Sequence, residues 1–181
     1  MIQPPGAVVL DLSVPEPRFP ETPWTIGRYD EPRPALYQQA LFGGDRMLHV
    51  GMDFGGPVGV AVHAFLDGEV VHSGYNAAAG DYGYVLVTGH EHGGRPLYAL
   101  WGHLSAASIV RSPAGGRFVA GAVLGWLGAE HENGGWPPHL HLQLSWDRPE
   151  THDLPGVVSV AEREAALGRY PDPRMVLGPL Y

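Results

Sequence analysis

Between residues 47 and 146 the chain never keeps an apolar run going long enough for a helix of several turns. Glycine and proline, 26 and 18 of 181 residues, are scattered without a fixed period and cut the sequence into short pieces. The pieces at 48–54, 58–64, 69–73, 84–88, 97–104, 123–127 and 140–146 are apolar throughout or alternate apolar with polar residues. Alternation with period two is the mark of a strand, because successive side chains point to opposite faces. Runs of this length between turn residues predict an all-β, antiparallel fold with short peripheral helices.

The flanks read differently. Residues 1–30 are rich in proline and polar turns, with one strand expected at 8–12. Residues 33–42 have helical character and stop at Gly43-Gly44, a suitable C-terminal cap. Pro155-Gly156 breaks the chain, a short helix is expected at 160–167, and 171–181 reads as an irregular tail. No repeat or low-complexity segment divides the sequence. One domain over 1–181 is expected, with a core of about 46–146 and extensions at 1–45 and 147–181.

Charge and composition narrow the function. Lys and Arg total 11 against 19 Asp and Glu, for a net charge of -8. Nucleic acid and acidic membranes repel such a chain, and no basic run offers a phosphate site. Without cysteine, disulfides and thiolate ligands are excluded, so any metal must sit on His, Asp or Glu. Ten histidines make that search worthwhile. The N-terminus lacks the basic start and apolar stretch of a signal peptide, and no run is long enough for a membrane span. A cytoplasmic location is the expectation.

Three stretches carry chemistry: His49-Val50-Gly51-Met52-Asp53, Tyr98 to Ser105 around His103, and Pro138-His139-Leu140-His141-Leu142. On a strand, His139 and His141 share a face, with Leu140 and Leu142 on the other. Two adjacent imidazoles repel if both are protonated. They are compatible if one binds a metal through a neutral nitrogen and the other works beside it. An exposed strand face would produce the same His-x-His pattern. His49 and Asp53, four apart, meet at one point if the strand turns at Gly51 or at Gly55-Gly56. An imidazole, a carboxylate and one histidine of the pair make three ligands and leave a fourth position open, as catalytic zinc requires.

In this order and spacing the residues resemble the lysostaphin/LytM-type zinc endopeptidases. His49-x3-Asp53, the Tyr98-x4-His103-Leu104-Ser105 segment and Pro138-His139-Leu140-His141 carry the likeness. Gly55-Gly56-Pro57-Val58 with Gly68-Glu69-Val70-Val71, and Gly121-Ala122-Val123-Leu124-Gly125 with Gly128, resemble the family's turns and following strands. The resemblance implies the barrel-like β-sandwich of that family and one Zn²⁺ per chain. It implies His49, Asp53 and His141 as ligands, with His103 and His139 as the catalytic histidines beside a zinc-bound water. The reaction implied is cleavage of a peptide or amide bond, on a peptide, peptidoglycan-like or small amide substrate. The Asn133-to-His141 stretch and the proline-rich tail are similar to a particular branch, a module found in longer chains beside class III aminotransferases. Trp136, just before the histidine pair, is the expected groove wall. His63, His72, His90, His92 and His131 are ordinary strand or loop positions.

Other readings stay open at this point. A non-catalytic binding module of the same fold would keep the architecture, although such modules typically lose ligands and this chain keeps all three. A phospho-carrier with two histidines in an apolar depression needs no Asp at His+4. A cupin would place its further ligands after the His-x-His pair, whereas here they lie before it. An N-terminal segment over the groove would silence the site by supplying a fourth ligand.

Overall fold

A computed structural model describes residues 6–181; residues 1–5, the start of the segment read above for a leader, lie outside it. Strands are numbered in chain order. The main sheet has eight, in the order β1 (Val8–Val9), β2 (Thr25–Gly27), β5 (Met52–Gly55), β12 (His139–Ser145), β9 (Arg95–Leu104), β8 (Gly83–His92), β7 (Gly68–Asn76) and β10 (Arg117–Phe118). A three-stranded sheet holds β3 (Glu31–Pro32), β4 (Arg46–His49) and β13 (Val157–Ser159), and a two-stranded one holds β6 (Ala61–His63) and β11 (Val123–Trp126). All pairings are antiparallel except β1 with β2, which is parallel. Short helices α1 (Ala106–Arg111), α2 (Arg163–Arg169) and α3 (Arg174–Leu177) sit at the periphery. Among the described residues no helix is long and apolar enough to cross a membrane.

Alternation along the central strands divides the interior into two cores. Leu86, Ala99, Trp101, Leu140, Leu142 and Leu144 pack on one face with Val62, Leu124 and Leu127 from the small sheet and its margin. Val85, Val87 and Leu100 face the other way and meet Leu48, Val50, Leu154, Val158 and Tyr170. On β12 that second face is polar throughout: His139, His141, Gln143 and Ser145. The site is built on this polar row.

Four expectations need correction. The run 48–54 is not one strand; it breaks at Val50-Gly51, leaving β4 in the three-stranded sheet and β5 in the main one. A Cβ on Gly51 would lie 2.5 Å from Cε1 of His141, so only glycine lets the imidazole approach there. The helix expected at 33–42 is absent, and only a 3₁₀ turn at Ala40–Phe42 forms. Arg33 lies between Pro32 and Pro34, and a residue before proline is driven to extended backbone. The Gly43 cap does form, with φ 63°. The segment after Ser159 opens as a 3₁₀ turn, closed by a capping box between Ser159 and Glu162, before α2 begins. The tail is not wholly irregular, since Asp172 accepts the Arg174 N–H and starts α3.

Candidate metal centre

Two strands of the main sheet and one of the three-stranded sheet deliver the three expected ligands. His141 on β12 and Asp53 on β5 are direct register partners. The bend at Gly51 brings His49, at the end of β4, to the same point. His49 Nε2 lies 3.0 Å from His141 Nδ1 and 3.3 Å from Asp53 Oδ1, and His141 Nδ1 lies 3.1 Å from that same oxygen. Among the described residues this is the one group of three or more such side chains able to hold an ion.

The protons on these rings point away from the triangle. His49 Nδ1–H donates to the Arg28 carbonyl at 3.0 Å, which leaves Nε2 with a lone pair. His141 Nε2–H donates to Gln143 Oε1 at 3.2 Å, which leaves Nδ1 with a lone pair. Two imidazole lone pairs and a carboxylate oxygen therefore converge in a buried space. That is an unfavourable arrangement without a cation between them. Tetrahedral zinc with bonds near 2.0 Å sets its ligand atoms about 3.3 Å apart, and the observed triangle fits that size. The donor set, two nitrogens and one oxygen, is also one zinc accepts.

Behind Asp53 stands a residue the sequence did not point to. Arg33, from the N-terminal arm, is fully buried and donates from Nη1 to Asp53 Oδ2 at 2.6 Å. Its Nε donates to Glu31 Oε2 at 2.9 Å, Nη2 to the Arg28 carbonyl at 3.1 Å, and Nη1 also to Tyr37 Oη at 3.2 Å. A Cβ on Gly27 would sit 2.7 Å from Arg33 Nη2, so that position too needs glycine. Among its described residues the arm thus brings a cation to the site's edge rather than a fourth ligand.

His103 and His139 stand beside the triangle with ring centroids 4.2 Å apart. His139 Nδ1–H donates to the Pro137 carbonyl at 2.7 Å, and its Nε2 is 3.9 Å from Asp53 Oδ1. His103 Nδ1–H donates to the Asn133 carbonyl at 2.7 Å. Trp101 and Leu104, three apart, enter the same core, so strand alternation slips at His103, whose φ is +61°. That left-handed backbone is costly for a side-chain-bearing residue, and it accompanies the imidazole's place at the site. The Asn133 side chain, fully buried, accepts the N–H groups of Gly135 and Trp136 and donates to the carbonyls of Gly128 and Trp136. It fixes the loop that carries the His103 acceptor.

Burial sets the charge states. Desolvation, reinforced by the Arg33 charge, brings the His49 pKa down to about 4. Desolvation and the neighbouring imidazoles hold His103 well below the usual range, and desolvation lowers His139. For Asp53 burial works upward, but His49 and Arg33 outweigh it and keep the carboxylate well below its ordinary value. All three histidines are therefore neutral near pH 7, the form that binds metal or accepts a proton.

A cavity of about 680 Å³ opens over the centre. His49, Asp53, His103, His139 and His141 line it, as does Trp136. Leu10, Leu12, Phe19, Leu36 and Phe42 of the N-terminal arm form an apolar wall. His63, His72, His90, His92 and His131 lie away from this lining. Of the supporting residues, Gln143 had a sequence signal, since it follows His141 by two on the same strand face. Arg33 and Glu31 had none, because Arg33 reaches Asp53 across 20 residues and Glu31 pairs with His49 across 18.

The sequence profile of Peptidase family M23 matches residues 47–152. The DD-carboxypeptidase/endopeptidase Mpg of Neisseria meningitidis serogroup B is 36% identical over 96 residues, 53% of this chain and 20% of that protein. Mpg of Neisseria gonorrhoeae matches to the same extent. The chain thus spans about a fifth of the length of these curated relatives. Among solved structures, the catalytic domain of the prophage-encoded M23 protein EnpA from Enterococcus faecalis superposes with a TM-score of 0.52 at 22% identity, covering 78% of this chain and 92% of that one. The catalytic domain of lysostaphin from Staphylococcus simulans gives 0.51 at 20% identity, covering 79% and 92%. These two likenesses concern the fold.

Proposed function

The chain belongs to peptidase family M23, and on that premise we propose that it is a zinc-dependent peptidase or amidase. In this reading His49, Asp53 and His141 hold the ion, and His103 with His139 are the catalytic histidines. The observation that carries it is the closed triangle of His49 Nε2, Asp53 Oδ1 and His141 Nδ1, with every ring proton directed outward.

Zinc held there supplies Lewis acidity, polarising a carbonyl and lowering the pKa of water towards 7. The rest is the work of the side chains. His103 and His139 each commit Nδ1–H to a backbone carbonyl, so each offers Nε2 first as a proton acceptor. After accepting a proton, the same nitrogen becomes a donor to the developing oxyanion or the leaving amine. His139 faces the Asp53 carboxylate, which favours positive charge on its ring, so His139 takes the proton in this scheme and His103 supports it. The apolar wall of the arm excludes water from one side of the bond to be cut.

The substrate class proposed is a peptide or peptide-like amide. Because the curated relatives are called DD-carboxypeptidase/endopeptidase, peptidoglycan-type peptides with D-residues belong first in a substrate panel. The test is metal analysis followed by cleavage assays on that panel, with and without chelator. About one zinc per chain and chelator-sensitive cleavage are expected. Protein that takes up no zinc under metal-replete conditions would overturn the reading, and zinc without cleavage would favour a binding module of the same fold.

A further inference from the structure

We propose that Arg33 is a positioning residue of the metal centre, holding Asp53 by Oδ2 so that only Oδ1 faces the ion. The proposal rests on the metal reading above and goes beyond it, because the residue lies outside the segment matched by the family profile, 47–152. The two oxygens of Asp53 are divided between partners. Oδ1 lies within 3.3 Å of both ligand nitrogens, and Oδ2 is 2.6 Å from the guanidinium. A carboxylate held this way presents one oxygen, and its rotation about the Cβ–Cγ bond is blocked.

An arginine against a metal-binding carboxylate has a second possible effect: its charge competes with the ion. The structure answers this with Glu31. Glu31 is buried, sits 2.9 Å from Arg33 Nε, and accepts the Leu12 N–H through its other oxygen at 3.0 Å. Glu31, Arg33 and Asp53 together carry a net charge of -1, so the arginine charge is offset and one negative charge is left for the ion. The guanidinium makes four contacts at once, to Glu31, Asp53, Tyr37 and the Arg28 carbonyl. That Arg28 carbonyl also accepts the His49 Nδ1–H. One short stretch of the arm therefore orients two of the three ligands. Partners of this kind set ligand direction and are worth about 10–100-fold in metal affinity elsewhere.

The experiment is zinc affinity by chelator competition on the full chain, with thermal unfolding of each metal-free protein alongside. The proteins are wild type, Arg33→Lys, and Arg163→Ala. The last removes only the surface pair with Asp30. Arg33→Lys keeps the charge but lacks the planar fork. Its zinc affinity is expected to fall about 10–100-fold, with Arg163→Ala at the wild-type value. An Arg33→Lys affinity at the wild-type value, or tighter, overturns the proposal while leaving the metal centre standing. Wild type that takes up no zinc removes the metal centre, and the proposal with it. Should Arg33→Lys fail to fold, a crystal structure of zinc-loaded wild type decides. Asp53 bound through Oδ1 with Oδ2 still on Arg33 supports the role. Asp53 bound through both oxygens, with Arg33 displaced, overturns it.

Discussion

His141 and Asp53 face each other across neighbouring antiparallel strands, and the backbone ladder that pairs β12 with β5 also sets the 3.1 Å gap between their side chains. Two of the three proposed ligands are thus positioned by sheet register alone. A one-residue slip would turn His139 and His141 into the leucine core and send Leu140 and Leu142 to the site. The third ligand depends on the bend at Gly51.

Metal ligands and non-ligand histidines should separate experimentally. Asp53→Ala is expected to release the metal and abolish hydrolysis. His103→Ala is expected to keep the metal and lose about 10²–10³-fold in kcat, the usual worth of a group that stabilises the developing oxyanion. Metal content by mass spectrometry, beside kcat on a cleaved peptide, checks both. A His103 variant stripped of metal would move that residue into the binding set.

Gly51→Ala tests the bend. Its Cβ would fall 2.5 Å from the His141 ring, so ring or backbone must move. We expect a stability loss of about 1–3 kcal/mol, typical of overpacking, and metal affinity reduced well beyond that of a surface control. Urea titration and chelator competition read the two effects separately.

The metal-free protein should lose stability in weak acid. Burial and Arg33 hold folded His49 at about 4, whereas an unfolded histidine titrates near roughly 6.5. Between these values the unfolded chain binds a proton that the folded one refuses, so stability rises with pH across the window. The contribution is fully present above about 6.5 and is lost as pH falls towards 4, amounting to on the order of 3 kcal/mol. Urea midpoints of metal-free protein at several pH values check this. A His49→Gln variant should flatten the slope, and an unchanged slope would contradict the assignment.

Core truncation should be costly where the site is anchored. Leu142 is fully buried in the core, on the face of β12 opposite the site histidines, and Leu142→Ala is expected to cost about 2–5 kcal/mol. Val110, 84% exposed, should tolerate Val110→Ala within about 0.5 kcal/mol. Thermal unfolding of both variants gives the comparison.

Much of this architecture was legible because its signals are local. Period-two alternation located the central strands, and His139-x-His141 announced a shared face. The bend that brings His49 to Asp53 was readable as an option, since Gly51 stood where a turn was needed. What sequence reading missed is partly local and mostly long-range. Residues 33–42 look helical by composition, but prolines on either side of Arg33 and the pull of Asp53 20 residues away override that preference. The left-handed backbone at His103 likewise depends on how the end of β9 meets the Asn133 loop, which no neighbouring residue in the sequence reveals.

Strand β2 lies beside β5, opposite β12, and this has a practical bearing on protein engineering. A fragment trimmed to the residues the family profile matches, 47–152, would strip that neighbour away. The strand bearing Asp53 would become a bare margin with unpaired amide and carbonyl groups, a ready template for self-association. Anyone expressing a shortened version should carry the chain back past residue 25, or expect insoluble material that says nothing about catalysis.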